Sequence, residues 1–145
     1  MKVYSKLFDE LSLNELYEIL LAREEIFTHE KGMKCKDIDR EDKRALHIIL
    51  EEDGELIGYL RAIPIGAEAV KIGRVLTKTH GRGHGKILMA GAINEIYHKY
   101  EAKTVTVHSR YDAVAYYEKM GFRVSSDEYV ENGVVHVTMD KQLFK

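Results

Sequence analysis

A chain of 145 residues has the length of one domain built around one core. Hydrophobic residues make up 45% and charged residues 32%, the balance of a globular protein, and a net charge of −2 argues against a nucleic-acid partner, whose binders are usually basic. Cys35 is the only cysteine, which excludes an intramolecular disulfide and a thiolate metal cluster.

"MKVYSKLFDE" contains no apolar signal-like run, and no apolar stretch approaches membrane-spanning length. The expectation is a cytoplasmic protein, with no membrane partner and one domain over residues 1–145. Within it, "KVYSKLF" reads as a first strand. "SLNELYEILLAREEIF" starts with a capping-box pattern, Ser12 and Glu15, which satisfies early backbone N–H groups of a helix. Leu13, Leu16, Leu20 and Phe27 fall on one face at helical spacing. From Thr28 to Asp42 the chain turns polar and acidic, as a solvated loop or a substrate-facing one would.

"LHIILEEDGELIGYLRAI" is two strands around Asp53-Gly54, a dipeptide whose residues both accept the positive φ of a tight hairpin. "AVKIGRVLT" is a further strand, and it runs straight into "KTHGRGHGKILM". Met89, Ile93, Ile96 and Tyr100 then mark a helix. "TVTVHS" alternates as a strand, and "DAVAYYEKMGF" is a short helix stopped by Gly121. "EYVENGVVHVTM" closes the chain as a hairpin turning at Asn132-Gly133. The order β-α-β-β-β-α-β-α-β-β gives an α/β protein with a sheet of mixed direction, because hairpins and helical crossovers alternate.

A strand, a glycine-rich turn and a helix start place free N–H groups and the positive end of a helix dipole at one point. That is an anion site, most often for phosphate, and glycine lets the backbone approach the ligand without a Cβ between them. A P-loop is excluded, since His80 stands where its first glycine belongs and Ile87 where its hydroxyl belongs. A dinucleotide fingerprint also fails: counted from Gly81 or Gly83, its third glycine falls on Lys86 or Leu88.

The stretch His80-Gly81-Arg82-Gly83-His84-Gly85 instead resembles the acetyl-CoA loop of the GNAT superfamily of N-acetyltransferases, [RQ]-x-x-G-x-[GA], with His80 in place of Arg or Gln. A second frame starts at Arg82, puts Gly85 fourth and leaves Ile87 at the small-residue place. "AYYEKMGF" resembles the superfamily's L-Y-E-K-L-G-F signature, with Tyr117 at its tyrosine. Within the superfamily the sequence is similar to the ElaA-like subgroup, through "AREEIFTHEKG", "DID", "IGRV" and "ENGVVHVTM". The subgroup's V-F-V-x-E-Q becomes "IFTHEK", which retains Phe27 and Glu30.

This resemblance implies a mostly antiparallel mixed sheet of six to seven strands flanked by helices. It also implies acetyl-CoA as co-substrate, held along Val75, Leu76 and Thr77 and over His80, Gly81, Arg82, Gly83, His84, Gly85 and Lys86. An amine acceptor would attack the thioester directly, a backbone N–H near Val75 or Leu76 would meet the oxyanion, and Tyr117 would serve the departing sulfur as general acid. Glu30 is the first choice of base and His136 the second. Arg74 would bind an anionic group or pair with Glu30, and Tyr116 would belong to the core. His47 and His136 are expected to satisfy local hydrogen bonds rather than bind metal, because the seven histidines form no HExxH-like cluster. No metal is expected, and a homodimer stays open. The acidic Asp37–Asp42 stretch would draw a cation, hence a small amine or polyamine-like acceptor. A protein N-terminus or lysine, a non-catalytic acyl-CoA sensor and a bare interaction domain are the alternatives.

Overall fold

A computed structural model describes residues 1–143. Two tight turns organise its front half and its end. Asp53 and Gly54 take φ of +53° and +81°, and Asn132 and Gly133 take +52° and +76°, so both hairpins form where a left-handed residue pair was legible. The first joins β2 (Leu46–Glu52) to β3 (Glu55–Pro64), and the second joins β7 (Tyr129–Glu131) to β8 (Val134–Gln142). With β1 (Lys2–Leu7), β4 (Ala69–Thr77), β5 (Thr104–Arg110) and β6 (Arg123–Val124), the described residues form an eight-stranded sheet. Its order is β1-β2-β3-β4-β5-β8-β6, with β7 paired to β8. The strand beyond the expected number is β6, only two residues long.

All pairings are antiparallel except β4 with β5. That connection is made by α2 (His84–Tyr100), as a parallel pair requires a crossover. Leu88, Met89, Ala92 and Ile96 of α2 pack on one face of the sheet, in one core with Ile48, Leu60 and Ile72. On the other face, α1 (Leu13–Arg23) packs Ile19 and Ala22 against Ile49, Tyr59 and Leu76. The result is three layers, helix on sheet on helix.

Ser12 and Glu15 do form the capping box, through Glu15 N–H to Ser12 Oγ at 3.0 Å and Ser12 N–H to Glu15 Oε1 at 2.8 Å. The buried face of the helix, however, is not the expected leucine stripe. Of the expected face Phe27 is buried but Leu13 is 88% exposed, and the other buried residues are Ile19, Ala22, Arg23 and Ile26. Beyond Arg23 the helix widens to π winding over Glu24–Glu30, which carries Ile26 and Phe27 onto the sheet. Such local widenings of a helix often accompany functional sites.

Candidate active site

The sheet splits at its parallel pair. β4 and β5 are joined only from Ala69↔Thr104 to Ile72↔Val107, and beyond Ile72 the two strands part. On its other side β4 bulges: Tyr59 faces Leu76 and Arg61 faces Gly73, so Leu60 stands against two residues, Arg74 and Val75. Arg74 takes φ of +52°. A bulge of this kind re-aims the backbone next to a site. The parted strands leave a V-shaped opening, and from Gly73 onward the edge of β4 that faced β5 has no strand partner.

Two cavities meet in this opening. One, about 430 Å³, is lined by Val75, Leu76 and Thr77 of β4 and by the turn and helix start that follow. Its lining takes in His80, Gly81, Gly83, His84, Gly85 and Lys86; Arg82 alone of that run lies outside it. The other, about 550 Å³, is walled by the π turn and the loop after it, by Lys71–Val75 and by the ends of β5 and β8. Lys31, Val75, Ala113 and Tyr117 line both cavities. A shallower hollow of about 580 Å³ beside Tyr111, Glu118 and Asp127 contains none of the candidate residues.

The smaller cavity has the construction of an anion cradle. Gly81 and Gly83 both have φ of +77°, and Gly83 caps α2 in the left-handed region, a conformation that glycine alone adopts at no cost. The first N–H groups of α2 therefore point outward without intrahelical acceptors. Only the frame beginning at His80 puts its fourth-place glycine at this left-handed cap; Gly85 of the other frame is already helical. A Cβ at Gly85 would collide with Tyr116 Oη. His84 is 7% exposed, and its Nδ1 is buried with no hydrogen-bond partner among the described residues. An orphaned buried nitrogen at the positive end of a helix fits a bound anion.

Tyr117, on α3 (Val114–Glu118), is buried and sets its ring edge-on to Phe122 at 5.6 Å. Burial, and secondarily the neighbouring Tyr116 hydroxyl, raise its pKa well above the ordinary phenol value. It holds its proton through the physiological range. Tyr116 is 45% exposed, so it is not the core residue expected but a wall of the cradle.

Residues 23–143 of the chain match a family model described as an acetyltransferase (GNAT) domain. The chain belongs to the GNAT acetyltransferase family. GNAT relatives include a UPF0039 protein of Schizosaccharomyces pombe, 34% identical over 142 residues and covering 95% of both chains. Protein ElaA of Escherichia coli is 29% identical over 142 residues, covering 94% of this chain and 93% of its own. The crystal structure of that ElaA superposes with a TM-score of 0.88 at 27% identity, covering 97% of this chain and 99% of the other. An acyl-CoA N-acyltransferase from Pseudomonas aeruginosa gives the same TM-score at 28% identity, with the same coverage.

In this GNAT protein the acidic loop is not free to attract cations. Asp37, Asp39 and Asp42 are taken up by three arginines from three elements. Arg23 of α1, fully buried, donates to Asp42 Oδ1 at 2.7 Å, Asp37 Oδ2 at 3.0 Å and the Asp37 carbonyl at 2.8 Å. Arg61 of β3 clamps Asp39 with two donors, at 2.8 and 2.7 Å, and reaches Asp42 at 3.0 Å. Arg74 pairs with Asp37 Oδ1 at 2.8 Å and donates to the Asp37 carbonyl at 2.8 Å. Its partner is therefore Asp37 and not Glu30, because the bulge turns it toward the loop. Three cations and three anions cancel, and they pin the loop that walls the larger cavity.

Hydrogen bonds from Arg61, aided by its charge and that of Arg74, hold the Asp39 carboxyl well below the usual range against the opposing effect of burial. Burial would raise Asp42, but Arg23 and Arg61 outweigh it and hold that carboxyl down too. Both carboxyls are depressed by folding, so their stabilisation is complete above the unfolded value of about 3.9 and is lost as pH falls through the folded values. Urea midpoints are expected to stay level from about pH 8 to 5 on this account and to fall below about pH 4; the fall should be shallower in Asp39→Asn.

Glu30 ends the π turn with its side chain 60% exposed, 3.9 Å from the exposed His80 Nε2, and it lines neither cavity. His136 does line the larger one, with Nδ1 2.8 Å from the Val134 carbonyl. A carbonyl only accepts, so Nδ1 carries the proton and neutral His136 keeps its lone pair on Nε2. Nearby, Glu131 Oε1 lies 3.0 Å from His108 Nδ1, and Oε2 lies 3.9 Å from His136 Nε2. His47 is satisfied locally, by Tyr59 Oη at 2.7 Å and the Asp42 carbonyl at 2.8 Å, and burial pushes its pKa down.

Sequence reasoning missed Lys31, Lys71, His108 and Glu131. Alternation along β5 could have put His108 on the polar face with Thr104 and Thr106. The Asn132-Gly133 turn could likewise have set Tyr129 opposite His136, the register observed.

Proposed function

We propose that the protein transfers the acetyl group of acetyl-CoA to the primary amine of a small acceptor, by direct attack of the amine on the thioester carbonyl. The observation that carries this reading is the junction of the two cavities at Val75 and Tyr117, where a thioester from one side and an amine from the other would meet. On the smaller side, the unpaired edge of β4 from Val75 to Thr77 suits the pantetheine amides. The N–H groups of Gly83 to Lys86, with the His84 nitrogen, suit the pyrophosphate.

His136 Nε2 takes a proton from the acceptor's ammonium, directly or through a water, which frees the amine lone pair for attack, and Glu131 steadies the resulting imidazolium. Glu30, exposed and outside both cavities, gives up the role of base. The bulge at Arg74 and Val75 supplies a backbone N–H, without a ladder partner, to the oxyanion. Tyr117 donates a hydrogen bond to the departing sulfur. Even an unperturbed phenol lies about 1.5 pKa units above a thiol, about 2 kcal/mol against full proton transfer, and Tyr117 is raised further. The tyrosine therefore stabilises the thiolate as a donor rather than by surrendering its proton.

CoA and acetyl-CoA at about a hundredfold excess over Kd should each stabilise the fold by about 2.7 kcal/mol, several degrees in Tm, and NADH and ATP by much less. Gly83→Val forces a β-branched residue to a left-handed φ, which costs the apo protein roughly 1–3 kcal/mol. CoA affinity should fall by more than that strain alone explains, since the cradle itself is displaced. Stabilisation by NADH and none by CoA would sink the assignment.

A further inference from the structure

We propose that the acceptor amine carries an anionic group, a carboxylate or phosphate, and that Lys71 receives it. The inference rests on reading the larger cavity as the acceptor site. The charged groups lining that cavity are five cations, Lys31, Lys34, Lys71, Arg74 and Arg110, against two anions, Asp37 and Glu131. Asp37 and Arg74 belong to the neutral network of three arginines and three aspartates, so they cancel locally. Glu131 is engaged with His108 and stands by His136. Arg110 is shared with Asp112 at 3.2 Å on the outer rim. Three lysines remain, and the cavity is left positive.

Lys71 is the informative one. Lys31 and Lys34 are exposed, but Lys71 is half-buried in the middle of the sheet and has no acidic partner among the described residues. A lysine taken partly out of water without a counter-ion is costly, and an anionic ligand would offset that cost. Its neighbours Val70 and Ile72 are buried in the core on the opposite face, so Lys71 shares the face of Gly73, which lines the same cavity. From Lys71 to Val75 is four residues of strand, at most about 13 Å, and less for the bulge at Arg74. An acceptor with four or five bonds between the amine nitrogen and the carboxylate carbon or phosphorus covers that span together with the lysine stem. A polyamine would bring a second cation to this positive wall instead.

Four amines of matched length test this, with acetyl-CoA and thiol release as readout: 4-aminobutyrate, 3-aminopropyl phosphate, butylamine and putrescine. The two anionic amines should exceed butylamine by about tenfold or more in kcat/KM, the size expected of one charge-assisted contact, and putrescine should fall below it. The ratio between the two anionic amines tells carboxylate from phosphate. Lys71→Met should erase the preference through KM, while stabilisation by CoA persists and shows the fold intact. Binding is read separately by calorimetry of 4-acetamidobutyrate and N-butylacetamide on the CoA-loaded protein, with the charged amide about tenfold tighter or more. Equal or better use of butylamine or putrescine overturns the proposal, as does equal or absent binding of the two amides, or a preference that survives Lys71→Met. Loss of CoA binding in the wild type would instead strike the acetyltransferase reading itself.

Discussion

Tyr117→Phe is expected to lower turnover by roughly 10²–10³-fold, the usual worth of one hydrogen-bond donor aimed at developing charge, with CoA affinity near that of the wild type. The substitution removes only the hydroxyl. The ring, set against Phe122 and Tyr116, stays packed, and the cradle at Gly83 to Lys86 is untouched. The loss should therefore appear in kcat under saturating acetyl-CoA, provided chemistry and not product release limits the rate. Because burial keeps the phenol protonated, the wild-type profile should show no loss of this donor up to about pH 10. Tyr116→Phe is the matched control: its hydroxyl rests on Gly85, at the phosphate end, so any effect should fall on CoA affinity rather than on the chemical step. If Tyr117→Phe acetylates as fast as the wild type, the thiolate is stabilised by another group and Tyr117 only packs.

Arg23→Leu should have the largest effect on stability, about 3–5 kcal/mol, because it leaves buried carboxylates short of a partner. At this chain length that is roughly a 10–15 °C fall in Tm. Arg23 is completely buried and bridges Asp37 to Asp42, and its own helix, α1, carries the π turn that walls the larger cavity. The acceptor KM should rise alongside, as the loop from residue 32 to 42 loosens, whereas CoA binding on the far side should hardly change. A loss below about 1 kcal/mol in urea unfolding, far short of the worth of a buried pair, would mean that Arg61 and Arg74 hold the loop by themselves.

Much of the architecture was legible because local residue chemistry dictates local backbone. Asp53-Gly54 and Asn132-Gly133 tolerate left-handed φ, so the two hairpins fall where they were expected. Ser12 and Glu15 cap their helix, Ala69–Thr77 is a strand with the bounds read from the sequence, and the glycines before α2 form a left-handed turn into the helix start. The motif at His80–Gly85 and the tyrosine of "AYYEKMGF" carried the resemblance to the GNAT family, and Tyr117 does stand where the two cavities join.

What remained hidden depends on partners distant in sequence. The stripe of Leu13, Leu16 and Leu20 and the buried stripe of Ile19, Ala22 and Ile26 are both apolar, and only docking on the sheet, with the π winding, chose between them. The charge of the Asp37–Asp42 loop has no meaning until Arg23, Arg61 and Arg74 close on it from three elements, the last from 37 residues beyond Asp37. By the same cause, His108, Glu131 and His136 become neighbours only through the register of β5, β7 and β8, and Glu30 lines neither cavity although Thr28 and Lys31 on either side of it do. Residue type determined the turns, caps and strand periods of this protein, since those preferences act within a few bonds. Which charges cancel and which side chains face the reacting centre was decided by tertiary closure, since such pairings act through space.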